Sequence, residues 1–311
     1  MVKRINIPKL CTYAALILVS YQFLYPLLRM ITTSLMSTED IINPVVNWLP
    51  RTWSFGNLRM AWAVMDPRTT MLNSIWFSAL LSAGQTFVAA TAGYAFARYE
   101  FAFKRFWFMM VITSFILPTP VMLIPRTMMA VSVNDLWGIQ MIGTPYPQIL
   151  LAVFGQGVFS AILILIFYNF TKMIPQALDE AAAIDGASQF KIFYHVILKL
   201  SVSTLLVVFL LSFVWNWNET YITGIFLGNS IELMPVRLGR FAALFPGAAA
   251  AAGVPGGGMG DLADISPDVQ RINEAFRMAG TMISMLPLFA LYLLVQKQFI
   301  KGIENTGITG I

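Results

Sequence analysis

The chain has 311 residues, 58% of them hydrophobic and only 11% charged, with a net charge of +5. A soluble domain carries about 25% Asp, Glu, Lys and Arg because its surface must be wetted, so this composition and a mean hydropathy of +0.71 all but exclude a soluble enzyme. The basic residues are diluted among Leu, Phe and Met and make no phosphate-binding face, while a single cysteine, Cys11, and a single histidine, His195, exclude an intrachain disulfide and any site that needs two of either.

What remains is a multi-span membrane protein. A helix needs about 20 mostly apolar residues to cross the hydrocarbon core. Stretches at roughly 10–31, 71–97, 106–130, 148–170, 198–226 and 276–300 meet that length. Buried helices of a large soluble protein would need polar outer faces, and these stretches lack them. The first stretch follows a basic start, as a secretory signal would. Its apolar part is too long and has no Ala-x-Ala site, so it reads as an uncleaved first span. Pro26 and Arg29 near its outer end predict a kink and a snorkelling charge. The loop at 37–70 follows, with Asn43-Pro44, Leu49-Pro50 and the interfacial pair Trp48 and Trp53.

The third span contains Pro118, Pro120 and Pro125. Prolines that break a helix inside a membrane are tolerated where neighbouring protein or water satisfies the freed carbonyls. The run marks either a cavity-lining, gating span or a merely kinked one. Gln85, Tyr94, Gln148 and Gln156 are polar positions within spans, each suited to lining a pathway or to bonding a neighbouring helix.

The segment 171–197, between spans four and five, is the most informative. Pro175 suits a helix N-terminus, Asp179 and Glu180 complement the dipole in the first turns, and Gly186 provides a left-handed stop. Ala177, Ala181 and Ala182 give a small-residue face, and a second helix starts near Ser188. The product is a short surface helix that either seats in a partner's groove or simply re-enters the interface between two spans. His195 lies beside Lys191 and Lys199 and reads as a surface residue.

Span five ends on Trp215-Asn216-Trp217-Asn218-Glu219. Rings that stack on a pyranose and amides that bond hydroxyls are what sugar recognition needs. The same residues form interfacial belts, and a belt or gate is the favoured reading. The second long loop, 228–275, carries the Ala/Gly run 247–260, followed by a helix start at Ser266-Pro267-Asp268. No internal repeat is visible.

Charge orients the spans. With both ends inside, the inner segments hold all eight lysines, with eleven basic residues in total against five acids. That is a positive-inside pattern with an even number of spans.

Glu180-Ala-Ala-x-x-Asp-Gly-Ala187 resembles the EAA loop of permease subunits of binding-protein-dependent ABC importers. Further similarity lies in Asn73-Ser-Ile, Ala92-Gly-Tyr-Ala-Phe-Ala-Arg98, Leu117-Pro118, Leu123-Ile-Pro125, Trp215-Asn216-x-Asn218 and Gln298-Phe-Ile-Lys-Gly302. Within that family the chain resembles the smaller, maltose-type permease of carbohydrate importers. Two departures stand out: Leu198 is followed by Lys199 where the family usually has Leu-Pro, and the tail at 307–310 lacks a basic residue often seen there.

The resemblance implies an all-α, six-span protein of the type I ABC importer permease fold. It would form one transmembrane domain over 1–311 in the bacterial inner membrane, with cytoplasmic termini. It implies that Glu180, Ala181, Ala182, Asp185, Gly186 and Ala187 meet an ATPase. Two ATPase subunits, a second permease and an external solute-binding protein are the implied partners, and a sugar the implied substrate. Trp215, Asn216, Trp217, Asn218, Gln85 and Tyr94 are the candidate pathway residues. No phosphate-cradling G-x-x-x-x-G-K-[ST] run occurs, so ATP and magnesium are expected on the partners, with no cofactor, metal or catalytic residue here. The competing classes are an ion-coupled secondary transporter, disfavoured by span centres without charge, a membrane-embedded enzyme, for which no catalytic constellation is present, and a permease for a non-sugar solute.

Overall fold

The computed structural model describes residues 7–46, 48–241, 243–244 and 267–305. In chain order the helices are α1 (Ile7–Ser34), α2 (Thr38–Ile42), α3 (Gly56–Met65), α4 (Pro67–Arg98), α5 (Lys104–Ile116), α6 (Thr119–Trp137), α7 (Tyr146–Val153), α8 (Ser160–Met173) and α9 (Ala177–Ile184). They continue with α10 (Gln189–Ile192), a π-turn (Phe193–Ile197), α11 (Leu198–Leu200), α12 (Val202–Asn218), α13 (Tyr221–Phe226), α14 (Met234–Gly239) and α15 (Pro267–Asn305). The Ala/Gly run 247–260, the expected cap Ser266 and the tail at 307–310 lie outside the described residues.

Three helices are long and apolar enough to cross a membrane: Cys11–Ser34, Pro67–Arg98 and Gln270–Lys297. The other apolar stretches are helical but broken; the prolines of span three mark its break in the sequence, whereas spans four and five read as continuous. Span three bends by 107° between α5 and α6. Leu117 (ψ 126°) precedes Pro118 and is pushed out of the helical region, and Pro118 itself (ψ 135°) starts α6. Pro125 sits inside α6 without ending it. Span four divides into α7 and α8, separated by 154–159. Gly155 takes φ +71° there, and Phe159 takes φ +51°, a conformation that costs a β-carbon-bearing residue about 1 kcal/mol or more. At the start of span five, the helical segment Gln189–Leu200 meets α12 at 79°. Ser201 makes that corner, fully buried, with its hydroxyl donating to the Ile197 carbonyl at 2.6 Å, a side-chain bond that bends helices. The chain thus turns at Ser201, and Lys199 continues the preceding helix.

The chain divides into two compact units. The larger comprises 69–236 with 287–311. Between helices in lipid, close packing rather than water exclusion sets the association, and α4, α8 and α12 pack closely. Ala89, Leu163, Ile164 and Val208 form one buried cluster, and Ala90, Tyr94, Phe167, Ile174, Phe193 and Ile197 form a second. At Gly93 a β-carbon would stand 2.8 Å from the Tyr168 amide nitrogen and 3.0 Å from the Ile164 carbonyl oxygen. Only glycine permits that approach.

The smaller unit comprises 1–68 with 237–286. The loop expected at 37–70 is ordered by its own polar groups. Ser37 caps α2, and the Asp40 carboxylate accepts from the Arg51 and Thr52 amides at 2.9 and 3.0 Å. Asn57 Nδ2 donates to the Met36 carbonyl at 2.8 Å, and Trp48 meets Tyr25 edge-on at 5.0 Å.

The Thr52 amide holds the Asp40 carboxyl below the usual carboxylate range; burial opposes this, and the Arg51 amide and the Ser37 and Thr52 hydroxyls add to the lowering. A folded-state value below the unfolded one gives stability that is present at neutral pH and lost only as pH falls through the lowered value. Hydrogen exchange at the Arg51 and Thr52 amides, corrected for intrinsic rate, is therefore expected to stay slow from pH 7 to below the ordinary Asp value of 3.8. Asp40→Asn should cost these amides about tenfold in protection at neutral pH; equal protection in the variant would show that the carboxylate does not order the loop.

Candidate functional site

Two features of the larger unit stand apart from simple helix packing. The first is α9, most of whose surface is exposed. Its C-terminus is closed by a double turn: the Ala187 amide donates to the Ala182 carbonyl and the Gly186 amide to the Ala183 carbonyl, each at 3.0 Å. Gly186 takes φ +80° between them. This is the Schellman arrangement, which satisfies orphan carbonyls when a left-handed residue follows the helix. The spacing Ala182…Gly186-Ala187 is therefore a cap written in sequence. Ser188 then caps α10, its hydroxyl accepting from the Lys191 amide at 3.4 Å.

The N-terminal side of α9 is tied down. Arg98, the last residue of α4, places its Nε 2.7 Å from Asp179 Oδ2, with side chains only 10% and 14% exposed. Arg98 Nη2 also donates to the Ile174 carbonyl at 2.7 Å. Nearby, the Tyr99 hydroxyl donates to Gln189 Oε1 at 2.9 Å, and Tyr94 packs on Tyr99 and Phe193 with centroids 5.5 and 5.1 Å apart. Glu180, Ala181 and Asp185 are exposed, as is Ile184 at 86% and Phe190 at 75%, while Ala182 and Ala187 are half-buried. Asp179, singled out from sequence only as a dipole partner, is thus the anchor, and Glu180 and Asp185 face outward. His195 is exposed beside Tyr194.

The second feature is an open cavity of about 430 Å³ where three helix breaks converge. The α5–α6 bend contributes Ser114, Leu117 and Met122, the 154–159 break contributes Gln156 and Phe159, and the end of α12 contributes Trp215, Asn218 and Glu219. Arg126 on α6 also lines it and donates from Nη2 to Gln156 Oε1 at 3.2 Å. Trp215 and Phe159 meet edge-on at 5.0 Å and form an aromatic wall. Glu219 is occupied: its carboxylate accepts from the amides of Tyr221, Ile222 and Thr223 and from the Thr223 hydroxyl, all within 2.8–2.9 Å.

The structure divides the six candidate pathway residues. Trp215 and Asn218 line the cavity. Asn216 and Gln85 are buried in a polar knot, in which Asn216 Nδ2 and the Ser212 hydroxyl each donate to Gln85 Oε1 at 2.6 Å. Gln85 Nε2 in turn donates to Ser160 at 2.7 Å and to the Val158 carbonyl at 2.9 Å. The knot holds α12 to α4 and fixes the break before α8. Trp217 is 2% exposed and stacks on Phe213, and Tyr94 belongs to the cluster beneath α9. Sequence reasoning left Arg126 out of the candidate set. The signal that could have revealed the site is the Gly155-Gln156-Gly157 triplet, two glycines around an amide within an apolar stretch, since irregular backbone at that depth is tolerated only inside protein or along a cavity.

An all-α body with long apolar helices, spans broken around a half-polar cavity and a capped surface helix anchored to a neighbouring span defines a membrane transport component. The chain belongs to the family described as binding-protein-dependent transport system inner membrane component, which matches residues 85–305. As such it is a multi-pass inner-membrane permease of the binding-protein-dependent class and not itself an enzyme. It is similar to the sn-glycerol-3-phosphate transport system permease protein UgpE of Pectobacterium atrosepticum, 24% identical over 91% of each chain. It is also similar to the lactose transport system permease protein LacG of Rhizobium radiobacter, 23% identical over 96% of each chain. A solved bacterial ABC transporter involved in the import of the acidic polysaccharide alginate shares the fold, with TM-score 0.70 and 16% identity over 96% of this chain and 99% of that one. The fold is that of a type I ABC importer permease.

Proposed function

We propose that the chain forms half of the pathway of an ATP-driven importer for a sugar or sugar-like solute. A second, related permease supplies the other half, two cytoplasmic ATPase subunits drive it and an external binding protein delivers the solute. Counting each bent helix pair once gives up to six spans. That count, with the lysines of the sequence concentrated on one side, supports a reading with six spans and both termini in the cytoplasm. The lactose and glycerol-phosphate relatives support a carbohydrate-like solute.

One observation carries the reading. The helix α9 is exposed along its outward side, closed by its own cap and locked to α4 through Arg98 and Asp179. A rigid, anchored helix transmits a push, whereas a loosely tethered interfacial helix absorbs it. Glu180, Ala181, Ala182, Asp185, Gly186 and Ala187 form the surface that an ATPase engages. Trp215 and Asn218 serve the pathway directly; Gln85, Asn216, Trp217 and Tyr94 hold the helices that frame it.

In the reconstituted complex, uptake is expected to require ATP and to stop with vanadate. Ala182→Glu places a charge on the half-buried face of α9 and should abolish ATPase stimulation by the loaded binding protein. Stimulation at the parent level in that variant, or uptake that ignores vanadate, would overturn the proposal in favour of an ATP-independent transporter.

A further inference from the structure

The cavity in the larger unit contains a cation, Arg126, that makes no ion pair among the described residues; its one recorded partner is the neutral amide of Gln156, at 3.2 Å. The one acidic side chain lining the same cavity, Glu219, turns its carboxylate to the start of α13, where it accepts four hydrogen bonds, and makes no ion pair with Arg126. A half-buried guanidinium is costly unless something compensates it. Its planar fork has five donors and one is in use, which leaves the geometry that binds an oxyanion through two parallel bonds. Met122 and Arg126, one turn apart, both line the cavity, and Arg126 reaches Gln156 on its rim.

We infer that the transported solute carries an oxyanion, a carboxylate or a phosphate monoester, that pairs with Arg126, while the Trp215–Phe159 wall stacks on its ring and Asn218 bonds its hydroxyls. This rests on the importer reading above and deepens it by choosing the acidic class. A volume of about 430 Å³ lies within the range of small-ligand sites. The polar requirement is asymmetric: a neutral sugar offers hydroxyls that accept single bonds, but no oxyanion that matches both the fork and the charge of the guanidinium.

The test uses the assembled importer in proteoliposomes, with its own binding protein and ATPase subunits, and three probes: digalacturonate, glycerol 3-phosphate and maltose. ATP-dependent uptake of one of the two acidic probes and not of maltose is expected, and which one enters distinguishes carboxylate from phosphate. Arg126→Gln should lower that uptake at least ~10-fold per assembled complex, and Arg126→Lys, which keeps the charge but loses the fork, should fall between it and the parent. Equal uptake in the Gln and Lys variants, an unchanged rate in Arg126→Gln, or uptake of maltose alone would overturn the acidic assignment. Absence of uptake of either acidic probe overturns it as well. If the binding protein still stimulates vanadate-sensitive ATP hydrolysis, the importer reading survives that loss; if it does not, both fall.

Discussion

Replacing Arg98 by Ala is expected to reduce binding-protein-stimulated ATPase activity of the reconstituted importer to near its basal level, while the chain still inserts. The reason lies in the two roles of the side chain. It is paired with Asp179 at 2.7 Å in a setting where both groups are largely buried, and it donates to the Ile174 carbonyl at the turn into α9. Removing one partner of such a pair leaves an uncompensated carboxylate, which costs about 3–5 kcal/mol. The α9 helix has eight residues and cannot sustain its own position, because isolated helices shorter than about 12–15 residues are marginal. The expected result is a detached α9, with coupling lost ahead of folding. The swap Arg98→Asp with Asp179→Arg restores the charge pair but not the Ile174 bond, so it should recover part of the stimulation. Stimulation in Arg98→Ala equal to the parent's would show that the anchor does not carry the coupling. A swap no better than either single change would show that the pairing itself is not what matters.

Gly93→Val is expected to have the largest effect on stability. A β-carbon at this position meets backbone atoms of α8 at 2.8 and 3.0 Å and the Phe167 β-carbon at 3.0 Å, and backbone does not swing aside as a flexible side chain does. Overpacking costs typically about 1–3 kcal/mol and more when backbone must move. Valine adds two further methyl groups in the same gap. Forcing α4 away from α8 also loosens the knot in which Gln85 bonds Ser160 and Asn216, whose members are costly to leave unpaired. In detergent, the thermal midpoint of the variant should fall by about 5–10 °C, with Gly93→Ala falling less. A midpoint within a degree of the parent for valine would mean that the crossing is wider than it stands here. Because Arg98 lies at the end of the same helix as Gly93, measuring coupling in Gly93→Ala as well separates loss of packing from loss of the anchor.

Parts of this arrangement were legible in order along the chain because they are local. The cap of α9 needs a left-handed residue just after the helix, Gly186 supplies it, and the backbone bonds that close the turn span only six positions. The break at Leu117-Pro118 follows from a ring that excludes the helical conformation of the residue before it. The 154–159 break was passed over, since the glycines there sit within a stretch whose hydropathy reads as one span. The ion pair of Arg98 with Asp179 joins residues 81 positions apart in number, and no local propensity marks it.

Composition and spacing alone determined that this is a multi-span membrane protein with a capped surface helix between its fourth and fifth apolar stretches, because hydropathy and backbone preference act over a few turns. The tertiary structure decided what each polar residue in those stretches does. Trp215, Asn216, Trp217 and Asn218 are consecutive and alternate indole with amide, yet the helix turns by about 100° at each step. Trp215 and Asn218, three apart, reach the cavity, while Asn216 and Trp217 turn to α4 and to the buried stack on Phe213. Which face meets open space depends on where α6 and α8 break and pack against α12, and that is settled by contacts between segments distant in the chain.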